Sequence, residues 1–206
     1  MASRHVPLSE LVTGRYRGRL ALMVAFQFLQ TFGYFGFLIW APTILVKEGF
    51  VLVHALFYVA LTMILGPVGA FIGALFVERW ERKWAIATLA AGIAVFGLAF
   101  AVSRSPVLIV LNGGLVTLLS NWFVAAFHPY QAEIFPTRLR ATAGGFAYAW
   151  SRFGVAVSAP VIGFILMTFG VVGVFTVIAV AMLLITVIIG AFGPRTNSLA
   201  LEVIAE

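Results

Sequence analysis

Arg152 is the residue whose chemistry most needs an explanation. It lies about 11 residues into an apolar run that starts at Ala141, about 16 Å along a helix axis and so near the middle of a bilayer. A cation at that depth is costly, and such residues face a cavity or a partner. A guanidinium there can hold a carboxylate through two parallel hydrogen bonds. No acidic residue stands at matching depth in the chain. Two readings follow: Arg152 binds a substrate carboxylate in a central cavity, or it is a structural arginine bonded to helix carbonyls or to an acid outside this sequence.

A second group could line the same cavity. Gln27, Gln30 and Tyr34 recur at i, i+3 and i+7 and share one helix face. Asn121 and Trp122 in a later apolar segment, and Trp150 beside Arg152, complete the set. Amides with aromatic rings suit a ring-bearing metabolite held by stacking and hydrogen bonds. The alternative is that the amides bond helix to helix, as they do in many membrane bundles. His5, His54 and His128 have no acid partner or metal spacing and read as surface histidines.

The third group is the stretch 130–145, which holds Glu133, Pro136, Arg138 and Arg140 between two long apolar segments and closes on Gly144-Gly145. An acid and two arginines confined there predict a salt-bridged turn at the bilayer surface. The double glycine belongs to no phosphate-cradling pattern.

These residues must be positioned by membrane helices. Of 206 residues, 63% are hydrophobic and 10% charged, against roughly half and a quarter in an ordinary soluble domain. One soluble core of this size cannot hide that surplus, so the solvent is lipid. A span needs about 20 apolar residues, and six segments meet the test: 20–46, 51–77, 84–102, 107–129, 141–169 and 171–192, the last two meeting at Gly170. Residues 1–19 form a basic arm, 20–193 a six-helix bundle and 194–206 a polar tail. The segments are continuously apolar, which excludes the alternation of a β-barrel. The first apolar run is too long for a signal-peptide core and lacks a small-residue cleavage site, so it reads as a retained helix. Segments two and five each set a proline beside glycines, Gly66-Pro67-Val68-Gly69 and Pro160-Val161-Ile162-Gly163, for tight packing or for a bend that moves.

Charge sets the orientation. Ten Lys and Arg fall in the arm, the second and fourth connections and the tail, against Lys47 and Arg104 on the other side. The positive-inside rule then puts both termini in the cytoplasm, in an inner or plasma membrane. This placement also accounts for the net charge of +6 without nucleic acid. The chain has no cysteine, and no nucleophile–base set or metal constellation appears, so an enzyme, a metal site and a cofactor are not expected.

Four stretches resemble one family, in its order. Glu133-Ile-Phe-Pro136-Thr-Arg138-Leu-Arg140-Ala-Thr-Ala-Gly144 resembles the loop after helix ten of the major facilitator superfamily, nearest its sugar-porter-like and aromatic-acid or nicotinate branches. Leu8-Ser-Glu-Leu-Val-Thr-Gly-Arg15-Tyr-Arg17, with Trp40-Ala-Pro42, resembles the entry and outer end of helix seven. Gly73-Ala-Leu-Phe-Val-Glu78-Arg79-Trp-Glu81-Arg82-Lys83 is similar to the basic loop between helices eight and nine, with Glu78 for the family's Asp and Glu81 for its Gly. Gly193-Pro194-Arg-Thr-Asn-Ser-Leu199-Ala-Leu201-Glu202 resembles the sugar-porter ending, with Arg195 where Glu is common.

The resemblance covers only the carboxy-terminal six helices of a twelve-helix transporter. It implies an all-α half-bundle working by alternating access around a midplane site. It also implies a cytoplasmic latch formed by Glu78, Arg79, Arg82, Glu133, Arg138 and Arg140. The competing reading of those residues is topology charges in headgroup solvent, worth little when exposed. The expected partners are a lipid bilayer, a small organic solute that carries a carboxylate, and an amino-terminal six-helix half or a second copy. A non-transporting scaffold, a fragment or a homodimeric pore is the alternative.

Overall fold

The computed structural model describes Leu11, residues 16–76 and residues 79–196, apart from the side chains of Phe35 and Leu38. The described residues form helices and connections, with no strand among them. The helices are α1 (Arg17–Lys47), α2 (Leu52–Met63), α3 (Leu65–Phe76), α4 (Arg82–Val102), α5 (Pro106–Glu133), α6 (Thr137–Thr168) and α7 (Gly170–Phe192). Since α2 and α3 make one span, Leu52–Phe76, six helices are long and apolar enough to cross a membrane when bent α1 is counted. Glu78, a predicted latch residue, lies outside the described residues.

Breaks occur where local chemistry dictates. α1 bends by 41° between Arg17–Tyr34 and Ile39–Lys47. Pro42 sits one turn beyond, where its ring opposes the carbonyl at position 38 and it offers no N–H. α1 closes in a Schellman turn, Phe50 N–H donating to Leu45 O at 3.1 Å and Gly49 N–H to Val46 O at 3.0 Å. The predicted single segment 51–77 is interrupted at Ile64, because Pro67 cannot donate to the carbonyl of Met63. Pro106 opens α5 at its first turn, where a missing N–H costs nothing. Gly170, at φ +67°, separates α6 from α7 in a left-handed conformation that a side chain would strain.

Helix ends reach further than the apolar runs predict. α5 continues through Pro129 to Glu133, and α6 begins at Thr137. The polar interval 130–145 is therefore mostly helical, with only residues 134–136 outside it, and Arg138 and Arg140 stand on the first turns of α6.

The core lies among α1, α4, α5 and α7. Phe26 of α1 packs on Phe123 and Phe127 of α5 with ring centroids 5.6 and 5.2 Å apart. Phe37, Phe100 and Phe175 join α1, α4 and α7 at 5.2–6.2 Å. Each such pair contributes about 0.5–1.5 kcal/mol beyond burial of its area. α3 lies backbone-close on α5: a Cβ at Gly69 would stand 2.1 Å from the carbonyl oxygen of Leu118. Only 22% of the Leu52–Phe76 window and 28% of the α6 window are buried, against 50% for α4. The α2–α3 span and α6 thus present the broadest uncovered faces.

Candidate functional site

Three clusters stand where the sequence places its polar residues. The first ties together the end of the bundle that holds the start of α1, the α3–α4 and α5–α6 turns and the tail, the basic end. Arg82 on the first turn of α4 meets Glu133 at the end of α5 at 2.9 Å, the side chains only 14% and 20% exposed. That burial separates the pair from an ordinary surface bridge. Removing one partner should cost about 1–3 kcal/mol, between the exposed and fully buried limits. Arg19 Nη1 donates to Ile134 O at 3.1 Å and so joins α1 to the α5–α6 turn. Tyr130 OH donates to Pro194 O at 3.1 Å. Thr196 N–H donates to the Glu81 carboxylate, also at 3.1 Å. Glu81 adopts φ −57° and ψ 116°, a conformation open to any residue, so a glutamate in place of glycine brings no strain here. It instead supplies the acceptor that holds the tail.

The other latch candidates are placed differently. Arg79 is exposed in the α3–α4 turn and Arg138 is exposed on α6. Arg140 is half-buried, and its Nε and Nη2 are covered without a hydrogen-bond acceptor among the described residues. Among these candidates, Arg82–Glu133 is an ion pair whose two members are both described, at 2.9 Å.

The second cluster is a chain of amides inside the bundle. Gln30 Nε2 donates to Gln27 Oε1 at 3.1 Å, and Gln27 Nε2 donates to Gln131 Oε1 at 2.7 Å. Gln131 Nε2 then donates to Gly144 O at 3.3 Å. Gln27 and Gln30 are buried, and Tyr34 on the same face is half-buried. The amides serve as interhelical bonds that link α1, α5 and α6. Gln131 and Tyr130 were not singled out from the sequence. Their signal was position, since both open the polar interval yet fall on the helix that precedes it.

The third cluster is the uncovered face of α6. Arg152 is exposed, its Cζ 4.6 Å from the ring centroid of Tyr148, and it donates to the Tyr148 hydroxyl one turn below. A cation this close to an aromatic face is attracted by the ring, which helps to hold the guanidinium in place on α6. Trp150 does not join it: two residues turn a helix by about 200°, so Trp150 leaves from the other flank. There it meets Phe153 edge-on at 5.9 Å, beside a shallow cavity of about 280 Å³.

Asn121 and Trp122 are also apart from Arg152. Asn121 Nδ2 donates to Thr117 O at 2.9 Å within α5, and its side chain lies against Gly66. Trp122 meets Phe76 and Trp80 in tilted ring contacts at 5.9 and 6.0 Å where α3 crosses α5. The predicted lining set thus divides among an α1–α5–α6 network, an α3–α5 contact and two flanks of α6. Among the described residues no group of His, Asp and Glu could hold a metal ion.

Comparison with known proteins agrees with this architecture. The profile of the family described as "Sugar (and other) transporter" matches residues 2–206. The chain is 31% identical over 188 residues to the putative metabolite transport protein YyaJ of Bacillus subtilis, covering 91% of this chain and 42% of that protein. It is 33% identical over 170 residues to the inner membrane metabolite transport protein YdjE of Escherichia coli, covering 82% and 37% respectively. With the niacin transporter NiaP of Acinetobacter baylyi it shares 28% identity over 202 residues, covering 97% and 46%. The chain spans less than half the length of these relatives. With apolar spans throughout and a family match over nearly its whole length, this integral membrane protein belongs to the sugar (and other) transporter family, as the major facilitator resemblance implied.

Proposed function

We propose that this chain forms one six-helix half of a secondary transporter for a small organic solute that carries a carboxylate. The observation that carries the proposal is the uncovered face of α6, which sets Arg152 and Tyr148 on a membrane-spanning helix only 28% buried over its apolar window. An arginine at that depth belongs against protein or in a water-filled cavity, not in lipid. A second six-helix bundle laid over α6 and the α2–α3 span provides both cover and cavity. The solute then binds at the interface, and the two bundles rock around it. The name of the niacin transporter relative supports a carboxylate, since niacin is a pyridine carboxylic acid. In this reading the basic end faces the cytoplasm. There Arg82–Glu133 holds α4 to α5, and the cations Arg79 and Arg140 add to a latch that closes against acids of the other half when that side is shut.

The test is uptake into vesicles that contain this chain with and without a six-helix amino-terminal partner. Carboxylate uptake only with the partner is the expected result. Uptake by the chain alone would instead favour a second copy as the other half, and no uptake in either form would leave a non-transporting scaffold. In the active assembly, Arg152→Gln should raise the KM for the carboxylate at least tenfold, and a neutral amide analogue should lose far less. Equal loss for both solutes would sink the carboxylate assignment.

A further inference from the structure

One cleft beside the basic-end contacts takes no part in the proposed solute binding. At the basic end, Gly18, Arg19 and Leu22 of α1 and Ile188 and Phe192 of α7, with Pro194 beyond, line an open cavity of about 520 Å³. That volume is within the range of about 300–1,000 Å³ of small-molecule sites. Its chemistry is graded along the bundle axis. Arg19 stands at the mouth, and Leu22, Ile188 and Phe192 make an apolar wall that runs toward the middle of the span. Phe192 is 75% exposed, and Val180, Leu183, Leu184 and Val187 extend the uncovered surface of α7. α7 carries no charged residue, so the medium this face meets is hydrocarbon.

Arg19 is half-buried; among the described residues it spends one hydrogen bond, on Ile134 O, and its Cζ lies 5.9 Å from the Tyr16 ring centroid. The basic end holds two carboxylates among the described residues, and both are engaged elsewhere. Glu133 pairs with Arg82, and Glu81 accepts the amide of Thr196. Among the described residues Arg19 therefore has no acid partner within salt-bridge distance, and Arg17 and Arg195, next in sequence to cleft residues, are exposed cations. A guanidinium with donors unspent, at a membrane surface and above an apolar groove, matches a phosphodiester above an acyl chain.

We propose that this α1–α7 cleft is a binding site for one anionic phospholipid, its phosphate on Arg19 and an acyl chain along Leu22, Ile188 and Phe192. Basic pockets between transmembrane helices select such headgroups because each nearby cation adds attraction that a zwitterionic lipid does not return in full. Bound there, the lipid bridges the start of α1 and the end of α7 where the tail crosses. This site is independent of which solute the assembly moves.

Native mass spectrometry of the full chain, released from detergent with phosphatidylglycerol or phosphatidylcholine of the same acyl length, tests the proposal. Expected is one phosphatidylglycerol retained per chain, at least fivefold in preference to phosphatidylcholine, with soluble glycerol phosphate unable to displace it. Arg19→Gln should abolish the preference. Because Arg19 also bonds to Ile134, Gly18→Trp serves as the second variant. It leaves the guanidinium in place and inserts a ring from a position with no atom within 4 Å of a Cβ, and should lower retention of either lipid. Equal retention of the two lipids, displacement by glycerol phosphate, or undiminished retention in a folded form of either variant would overturn the site.

Discussion

Replacing Gly69 by alanine should separate α3 from α5. A Cβ at Gly69 would lie 2.1 Å from the carbonyl oxygen of Leu118, 2.8 Å from its carbon and 2.9 Å from its Cα, all backbone atoms of a long helix that cannot rotate aside. Carrying that Cβ out to the 3.4 Å where ordinary contact begins takes about 1.3 Å of displacement of one helix from the other. The neighbouring contacts would open with it, including Gly73 on Ala125 and the tilted ring contacts of Trp122 with Phe76 and Trp80. Overpacking costs about 1–3 kcal/mol in general, and a rigid backbone obstacle places Gly69→Ala at the upper end. Two further glycines calibrate the measurement. At Gly66 the nearest atom is the Asn121 amide nitrogen at 3.2 Å, a side chain that can yield, so Gly66→Ala should cost about 1 kcal/mol or less. At Gly145 nothing lies within 4 Å, so Gly145→Ala should gain about 0.5–1 kcal/mol of helix stability. Denaturant titration in detergent, followed by the fluorescence of the five tryptophans, reads all three. A Gly69→Ala protein within about 0.5 kcal/mol of the parent would refute the close packing of α3 on α5.

Two other perturbations test the networks. Arg82→Gln and Glu133→Gln, combined in a double-mutant cycle, should show a coupling of about 1–2 kcal/mol that 0.5 M salt reduces only slightly, because the pair is mostly covered. Coupling below about 0.5 kcal/mol would return the pair to the class of surface bridges. Gln131→Leu removes the acceptor of Gln27, which is fully buried, and should cost about 1–3 kcal/mol in the same titration. A neutral result would mean that the amides are not bonded as described.

The number of spans, their apolar character and the basic end were legible in the sequence because each follows from local composition: a bilayer demands about 20 apolar residues per crossing whatever the neighbours are. Helix ends were less legible. Arg138 and Arg140 look like loop charges in a string of letters, yet they lie on α6, since a helix may extend beyond the hydrocarbon into water without losing its own hydrogen bonds. The interruption at Ile64 was visible only as Pro67, and whether proline bends or breaks a span depends on what packs around it.

The candidate site divides along the same line. The sequence by itself determined that Arg152 lies deep in the membrane, that Gln27 and Gln30 share a face, and that acids and arginines gather at one end, because depth and helical phase are properties of one segment. Only the tertiary structure decided who meets whom. It joined Gln27 to Gln131 across 104 positions, set Glu133 on Arg82 and Glu81 on the tail, and parted Arg152 from Asn121, Trp122 and Trp150. Those choices depend on how helices rotate and cross one another, which is fixed by close contacts such as Gly69 on Leu118 that no single segment encodes.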